Sequence, residues 1–238
     1  HLKLKDVYIR NANITYWDEQ TNMKAILSNL KHHTSGDLTA DSSLLSTQTT
    51  VDSISFWMNG VPYVSKANAE LNVDIDANLN EMKFAFSKNA SRINAIPFSF
   101  EGWIQMMDEG FDMDIKLIAD QVDFKSILSM IPAIYSNSFN DLKTGGKVSL
   151  SGFVKGQMKG EEYPAFDVNL SVNNGWFQYP SLPESVKNIQ LALQVFNPGG
   201  TLDSTLIDLS KFSLTLGSNT FSAAAKISSI ISDPDIHA

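Results

Sequence analysis

The sequence predicts a mainly-β fold: a repeated antiparallel meander forming a curved sheet, groove or open barrel or sandwich, with one short amphipathic helix at about residues 123–135. Three observations carry this reading. Apolar and polar residues alternate with period two over most of the chain, as half-buried strands require. Turn signals separate these stretches about every ten residues. A single segment shows helical spacing.

The elements follow in chain order. Lys5 to Tyr16 reads as strand, tight Asn turn, strand. Asn59-Gly60 is a hairpin signal. Val73, Ile75, Ala77 and Leu79 alternate with Asp74, Asp76, Asn78 and Asn80, giving one dry and one wet face. Phe84, Phe86, Phe98 and Phe100 also stand at alternating positions. Phe111 to Leu117 repeats the pattern, with Ile115 and Leu117 on the dry side. In Asp123 to Tyr135, Phe124, Ile127, Leu128 and Ile131 follow helical spacing, with Asp123 as N-cap and Pro132 marking a kink or stop. Lys143-Thr144-Gly145-Gly146-Lys147 reads as a hairpin turn. Phe166, Val168, Leu170 and Val172 alternate with Asp167, Asn169 and Ser171, and Asn174-Gly175 reads as the next turn. A short helical turn is expected near Pro183 to Lys187, then a strand carrying Leu191 and Leu193, then the turn Asn197-Pro198-Gly199-Gly200.

Sliding the chain against itself by 163 residues matches Asn11 to Asn174, Tyr16 to Tyr179, Lys24 to Lys187, Leu30 to Leu193 and Gly36 to Gly199. The organisation expected is one repeat-built module over 1–238, with repeat units at about 1–60 and 164–225.

Composition narrows the function. Hydrophobic residues make up 43% of the 238, enough for a substantial core. Charged residues make up 18%, below the roughly 25% of ordinary soluble domains, and Ser, Thr and Asn together supply about a quarter of the chain. The formal net charge of −8 argues against a nucleic-acid partner. With no cysteine, disulfides, thiolate metal sites and a Cys nucleophile are excluded. No apolar run reaches the roughly 20 residues of a membrane-spanning helix. His1 begins the sequence with no signal peptide after it, which reads as an excised piece of something longer.

No catalytic constellation emerges. Asp74, Asp76, Asn78 and Asn80 have the spacing of early calcium-loop ligands, but Leu79 and Ala85 stand where that loop needs Gly and Glu. Asp108, Glu109, Asp112 and Asp114 read as a turn and a solvated strand face. His32 and His33 are strand neighbours and point to opposite faces, so they do not share a metal. There is no Gly-x-Ser-x-Gly elbow, and 143–147 lacks the glycine spacing of a phosphate loop. No cofactor, catalytic residue or metal ligand is assigned.

What remains is apolar. Val73, Ile75, Phe84, Phe86, Phe98, Phe100, Ile115, Leu117, Val168, Leu170, Val172, Leu191 and Leu193 are the candidate lining of a groove, or equally of a closed core. Phe124, Ile127, Leu128 and Ile131 are the candidate helical cap or gate. Trp17, Trp57, Trp103 and Trp176 are candidate stacking platforms for a carbohydrate.

Five stretches resemble proteins of the AsmA family, especially those of Bacteroides-type bacteria: Lys5 to Tyr16, Gly60-Val61-Pro62-Tyr63, Asp123 to Tyr135, Asn174 to Pro180, and Asn197-Pro198-Gly199-Gly200. The resemblance implies a periplasmic, β-rich region of a Gram-negative envelope protein, tethered to the inner membrane by a segment missing from this chain. It implies a non-enzymatic role in outer-membrane biogenesis, with phospholipid or another acyl-chain lipid shielded along an apolar β-face. The partners expected are that lipid, the rest of the parent protein and other envelope proteins. The rival readings are a scaffolding β-module that binds protein partners and a carbohydrate-binding surface domain.

Overall fold

A computed structural model of the chain bears out the strand reading. The structure describes residues 5–19, 22–37, 40–58, 60–128, 142–179 and 183–238. The elements are β1 (Asp6–Asp18), β2 (Met23–Ser35), β3 (Ser42–Met58), β4 (Val61–Asn78), β5 (Lys83–Ile93), β6 (Ile96–Met106), β7 (Phe111–Asp123), α1 (Phe124–Leu128), β8 (Lys143–Met158), β9 (Ala165–Gln178), β10 (Val186–Asn197), β11 (Leu206–Leu216), β12 (Asn219–Ser228) and β13 (Asp235–His237). Among the described residues the strands are hydrogen-bonded in strict chain order as one 13-stranded sheet, from β1 at one end to β13 at the other. The chain divides into two compact units, His1–Ser99 with Ser126–Phe139, and Phe100–Lys125 with Asn140–Ala238.

Each unit has a row of β-bulges where extra residues take left-handed backbone. In the first unit these are Asn11 (φ 53), Asn29 (φ 52) and Lys66 (φ 53). In the second they are Gln121 (φ 53), Asn174 (φ 52) and Asn188 (φ 54). Each lies where the pairing register slips against a neighbouring strand. A bulged residue leaves the ladder, so its amide needs another acceptor. Neighbouring strands supply it. Asn29 N–H donates to Asn13 Oδ1 at 3.0 Å, Lys66 N–H to Ser55 Oγ at 3.0 Å, and Gln121 N–H to Ser149 Oγ at 3.3 Å. Asn suits such positions because its short polar side chain tolerates the left-handed region. At Gly146 (φ 114) the strands come closer still: a Cβ there would stand 2.6 Å from the Cα of Gly175.

Several sequence expectations need correction. Lys143 to Lys147 and Asn174-Gly175 are not hairpin turns. They lie inside β8 and β9, at the bulge row. The residue types that favour tight turns also favour bulges, because both need positive φ. The helix expected over 123–135 is present as α1, five residues long; 129–141 lie outside the described residues. The carboxylate of Asp123 accepts from Lys147 Nζ at 2.7 Å. Pro183 to Lys187 forms no helical turn, since β10 begins at Val186. A short 3-10 turn, Leu202–Ser204, was not anticipated. It is anchored by Asn197, fully buried, whose Nδ2 donates to Thr201 O and Thr205 Oγ1, both at 2.9 Å.

Asn11 and Asn174, matched at offset 163, are both bulge residues. The bulges of the following strands, Asn29 and Asn188, are 159 residues apart (188 − 29), so they match only after a four-residue shift.

Two outcomes are expected. Asn174→Val places a β-branched residue at φ 52 and costs about 1–2 kcal/mol in urea unfolding, while Asn174→Gly stays within about 0.5 kcal/mol of the parent. Equal losses in both variants would refute a conformational role. The second outcome concerns Asp203. Its carboxyl is held below the ordinary aspartate range by the Ser232 N–H first, then by the Ser232 hydroxyl and the Ile231 N–H. That contribution is complete above the ordinary value of about 3.9 and is lost as pH falls from there through the lowered native value. Amide protection factors at Ile231 and Ser232 therefore drop between pH 5 and pH 3, and Asp203→Asn removes the dependence.

Candidate functional site

Directly opposed residues of an antiparallel pair share one face, so the registers define each surface row by row. In the second unit one row runs Leu117, Gly152, Val168, Val195, Ile207, Ile227, Ile236 across β7 to β13. The next runs Ala119, Leu150, Leu170, Leu193, Leu209, Ala225 across β7 to β12. A third runs Val122, Val148, Val172, Leu191, Phe212, Ala223. Ile115 begins a shorter row with Val154 and Phe166. Over the six strands β7 to β12, at about 4.8 Å spacing, each long row is roughly 24 Å wide.

The opposite face of the same strands is mostly polar, although Phe153, Phe196 and Leu206 stand on it. One row there reads Ile118, Ser151, Asn169, Gln194, Asp208, Lys226, His237. Its side chains engage one another: Gln194 Nε2 donates to Asp167 Oδ2 at 2.9 Å, Asn169 Nδ2 to Asp167 Oδ1 at 2.7 Å, and Lys226 pairs with Asp208 at 3.0 Å. The acidic cluster of the sequence is absorbed the same way, with Asp114 paired to Lys155 and Glu109 to Lys159, both at 2.8 Å. Asp114 raises the pKa of Lys155.

Burial on the apolar face is graded. Beside the bulge row it is high: Val148 is 1% exposed, Val122 4% and Val172 6%. Farther along the strands it falls. Leu117, Leu170 and Leu193 are half-buried, and Val168 is 39% exposed.

The first unit has a face of a different character. Ala12, Leu30, Val51, Ala69 and Ile93 form one apolar row across β1 to β5. Val73, buried, stands opposite Thr47; Ile75 lies between Leu45 and Phe86; Phe84 faces Ala77. A polar band crosses this face. His32 bonds Thr49 Oγ1 through Nδ1 at 2.7 Å and Thr34 Oγ1 through Nε2 at 2.5 Å, and Thr47 Oγ1 donates to Val73 O at 2.9 Å. Thr34 and Thr47 are each 7% exposed.

The sequence-derived lining thus falls on three surfaces. Ile115, Leu117, Val168, Leu170, Val172, Leu191 and Leu193 share the apolar face of the second unit. Val73, Ile75, Phe84 and Phe86 share that of the first. Phe98 and Phe100 stand half-buried on β6, alternating with exposed Pro97, Ser99 and Glu101. Of the helical residues, Phe124 is half-buried, Ile127 and Leu128 fall in the last turn of α1, and Ile131 lies outside the described residues. Pairing also adds Leu150, Val195, Ile207, Leu209 and Phe212, which alternation had not assigned to a common face.

The other candidates are occupied structurally. His32 and His33 pair with residues of opposite faces, Ile9 and Tyr8. Asn78 Oδ1 accepts from the N–H groups of Asn80 and Glu81, both at 3.1 Å, closing the β4–β5 turn. Lys24 Nζ lies over the rings of Trp17 and Trp57, at 5.9 and 5.8 Å, and Trp17 is 65% exposed. Among the described residues no three acidic or histidine side chains converge as metal ligands. No helix of the described residues is long and apolar enough to cross a membrane.

The face assignment has a stability consequence. Leu→Ala substitutions in a closed core cost 2–5 kcal/mol. On an uncovered face the side chain loses only part of its transfer term, so Leu170→Ala and Leu193→Ala each cost about 1–1.5 kcal/mol. Urea unfolding above 2.5 kcal/mol for both would place them inside a covered core.

Comparison with protein-family models, with curated proteins and with solved structures finds no match to the chain.

Proposed function

We propose that the chain is a non-enzymatic module that shields lipid acyl chains on the apolar face of β7 to β12. The observation that carries the reading is the three aliphatic rows, aligned across six strands and backed by a polar face. An acyl chain asks for continuous aliphatic surface and no charged partner. Each methylene removed from water contributes about 0.8 kcal/mol, so a half-covered chain of about ten carbons gains several kcal/mol. The resemblance to AsmA-like envelope proteins supports the same role and adds a periplasmic setting in outer-membrane biogenesis, with the parent protein and other envelope proteins as partners.

The test is site-specific photo-crosslinking in bacteria followed by lipid mass spectrometry. Crosslinkers at Leu170 and Leu193 are expected to capture lipid. Crosslinkers at Asn169 and Gln194, on the opposite face of the same strands, are expected to capture none. Equal capture from both faces, or none from either, overturns the reading.

A further inference from the structure

A second feature lies on the polar face of the first unit and owes nothing to the apolar rows. Tyr8, Arg10, Lys31, His33, Gln48 and Thr50 line an open hollow of about 420 Å³. Arg10 and Lys31 each adjoin the opposed pair Ile9–His32, one on β1 and the other on β2, so the two cations stand side by side. Like charges opposed across strands are destabilising. Several cations elsewhere in this acidic chain are matched: Arg92 with Glu70 at 2.9 Å, Lys147 with Asp123 at 2.7 Å, and Lys155, Lys159 and Lys226 with their own carboxylates. Among the described residues neither Arg10 nor Lys31 has a carboxylate partner.

One wall holds Arg10 in place. The Tyr8 ring stacks on His33 with centroids 4.2 Å apart and planes 5° from parallel, and the Arg10 guanidinium lies 5.4 Å from the same ring. His33 is fixed by Asp6 at 3.0 Å. That contact engages the one carboxylate nearby on β1, and Asp52, farther along β3, accepts from Asn29 Nδ2. Gln48 and Thr50 add neutral hydrogen-bonding groups from β3. A guanidinium beside an ammonium, with an amide and a hydroxyl at hand, matches a tetrahedral oxyanion.

We propose that this hollow binds a phosphate group, carried either by a soluble phosphomonoester or by an anionic lipid head group. The experiment uses the full chain with two probes: glycerol 3-phosphate in calorimetric titration, and phosphatidylglycerol vesicles against phosphatidylcholine vesicles in flotation. The expected result is salt-sensitive binding of at least one phosphate probe, weakened about tenfold or more in Arg10→Gln/Lys31→Gln. Lys226→Gln, which removes a cation paired with Asp208 on β11 and β12, away from the hollow, is expected to leave binding within about twofold. Titration with glycerol 3-phosphate assigns a soluble ligand, and vesicle binding alone assigns a head group; either supports the site. Binding to neither probe overturns it, as does binding that survives the double substitution or falls equally in Lys226→Gln. Circular dichroism of each variant separates lost binding from lost fold. Because glycerol 3-phosphate has no acyl chain, failure of the lipid-shielding reading leaves this arm intact.

Discussion

The sheet depends on one recurring bond: the freed amide of a bulged residue caught by a hydroxyl or amide side chain on the next strand. Ser55, Ser149 and Asn13 each perform this task. Without such an acceptor, every bulge would leave a backbone donor unsatisfied. With it, strands as long as 18 residues bend and twist instead of running flat. The Ser- and Asn-rich composition gains a structural purpose from this, since short polar side chains are the ones that reach an amide one strand away.

Bulges also change which residues share a face. An extra residue shifts the alternation by one, so the apolar positions are odd-numbered on β7 up to Ala119 and even-numbered at Val122. On β11 the same switch occurs between Leu209 and Phe212. The aliphatic rows stay continuous because each extra residue is absorbed within its own strand, while the neighbours keep their alternation: Val148 and Leu150 on β8, and Ala223 and Ala225 on β12. Ion pairs such as Lys147–Asp123 and Lys226–Asp208 then tie the opposite face. They are exposed and individually weak, and their value lies in discriminating one face from the other.

The architecture was readable from residue order wherever alternation was unbroken. Phe111 to Leu117 and Phe166 to Val172 went to the correct type of element, and their dry sides face the same way. Legibility ended at the bulges. Gly145-Gly146 and Asn174-Gly175 carry the chemistry of a tight turn, and only the pairing shows that the chain continues straight through them. The hollow at Arg10 and Lys31 was hidden for a related reason: the two residues are 21 positions apart and meet only through the β1–β2 register. No local pattern marks a pair of that kind.

Strict chain-order pairing has a kinetic side. Each strand finds its partner across the loop that joins them, so no pairing waits for distant segments to meet. β-proteins fold slowly mainly because closing long loops precedes any reward. Here the reward follows each short closure, and pairing can start at any hairpin and spread outward as in a linear array. Among the described residues β1 and β13, at the ends of the order, each pair on one side alone. With fewer ladder bonds than an inner strand they detach most easily, so the hollow built on β1 is lost before the rest of its unit unfolds.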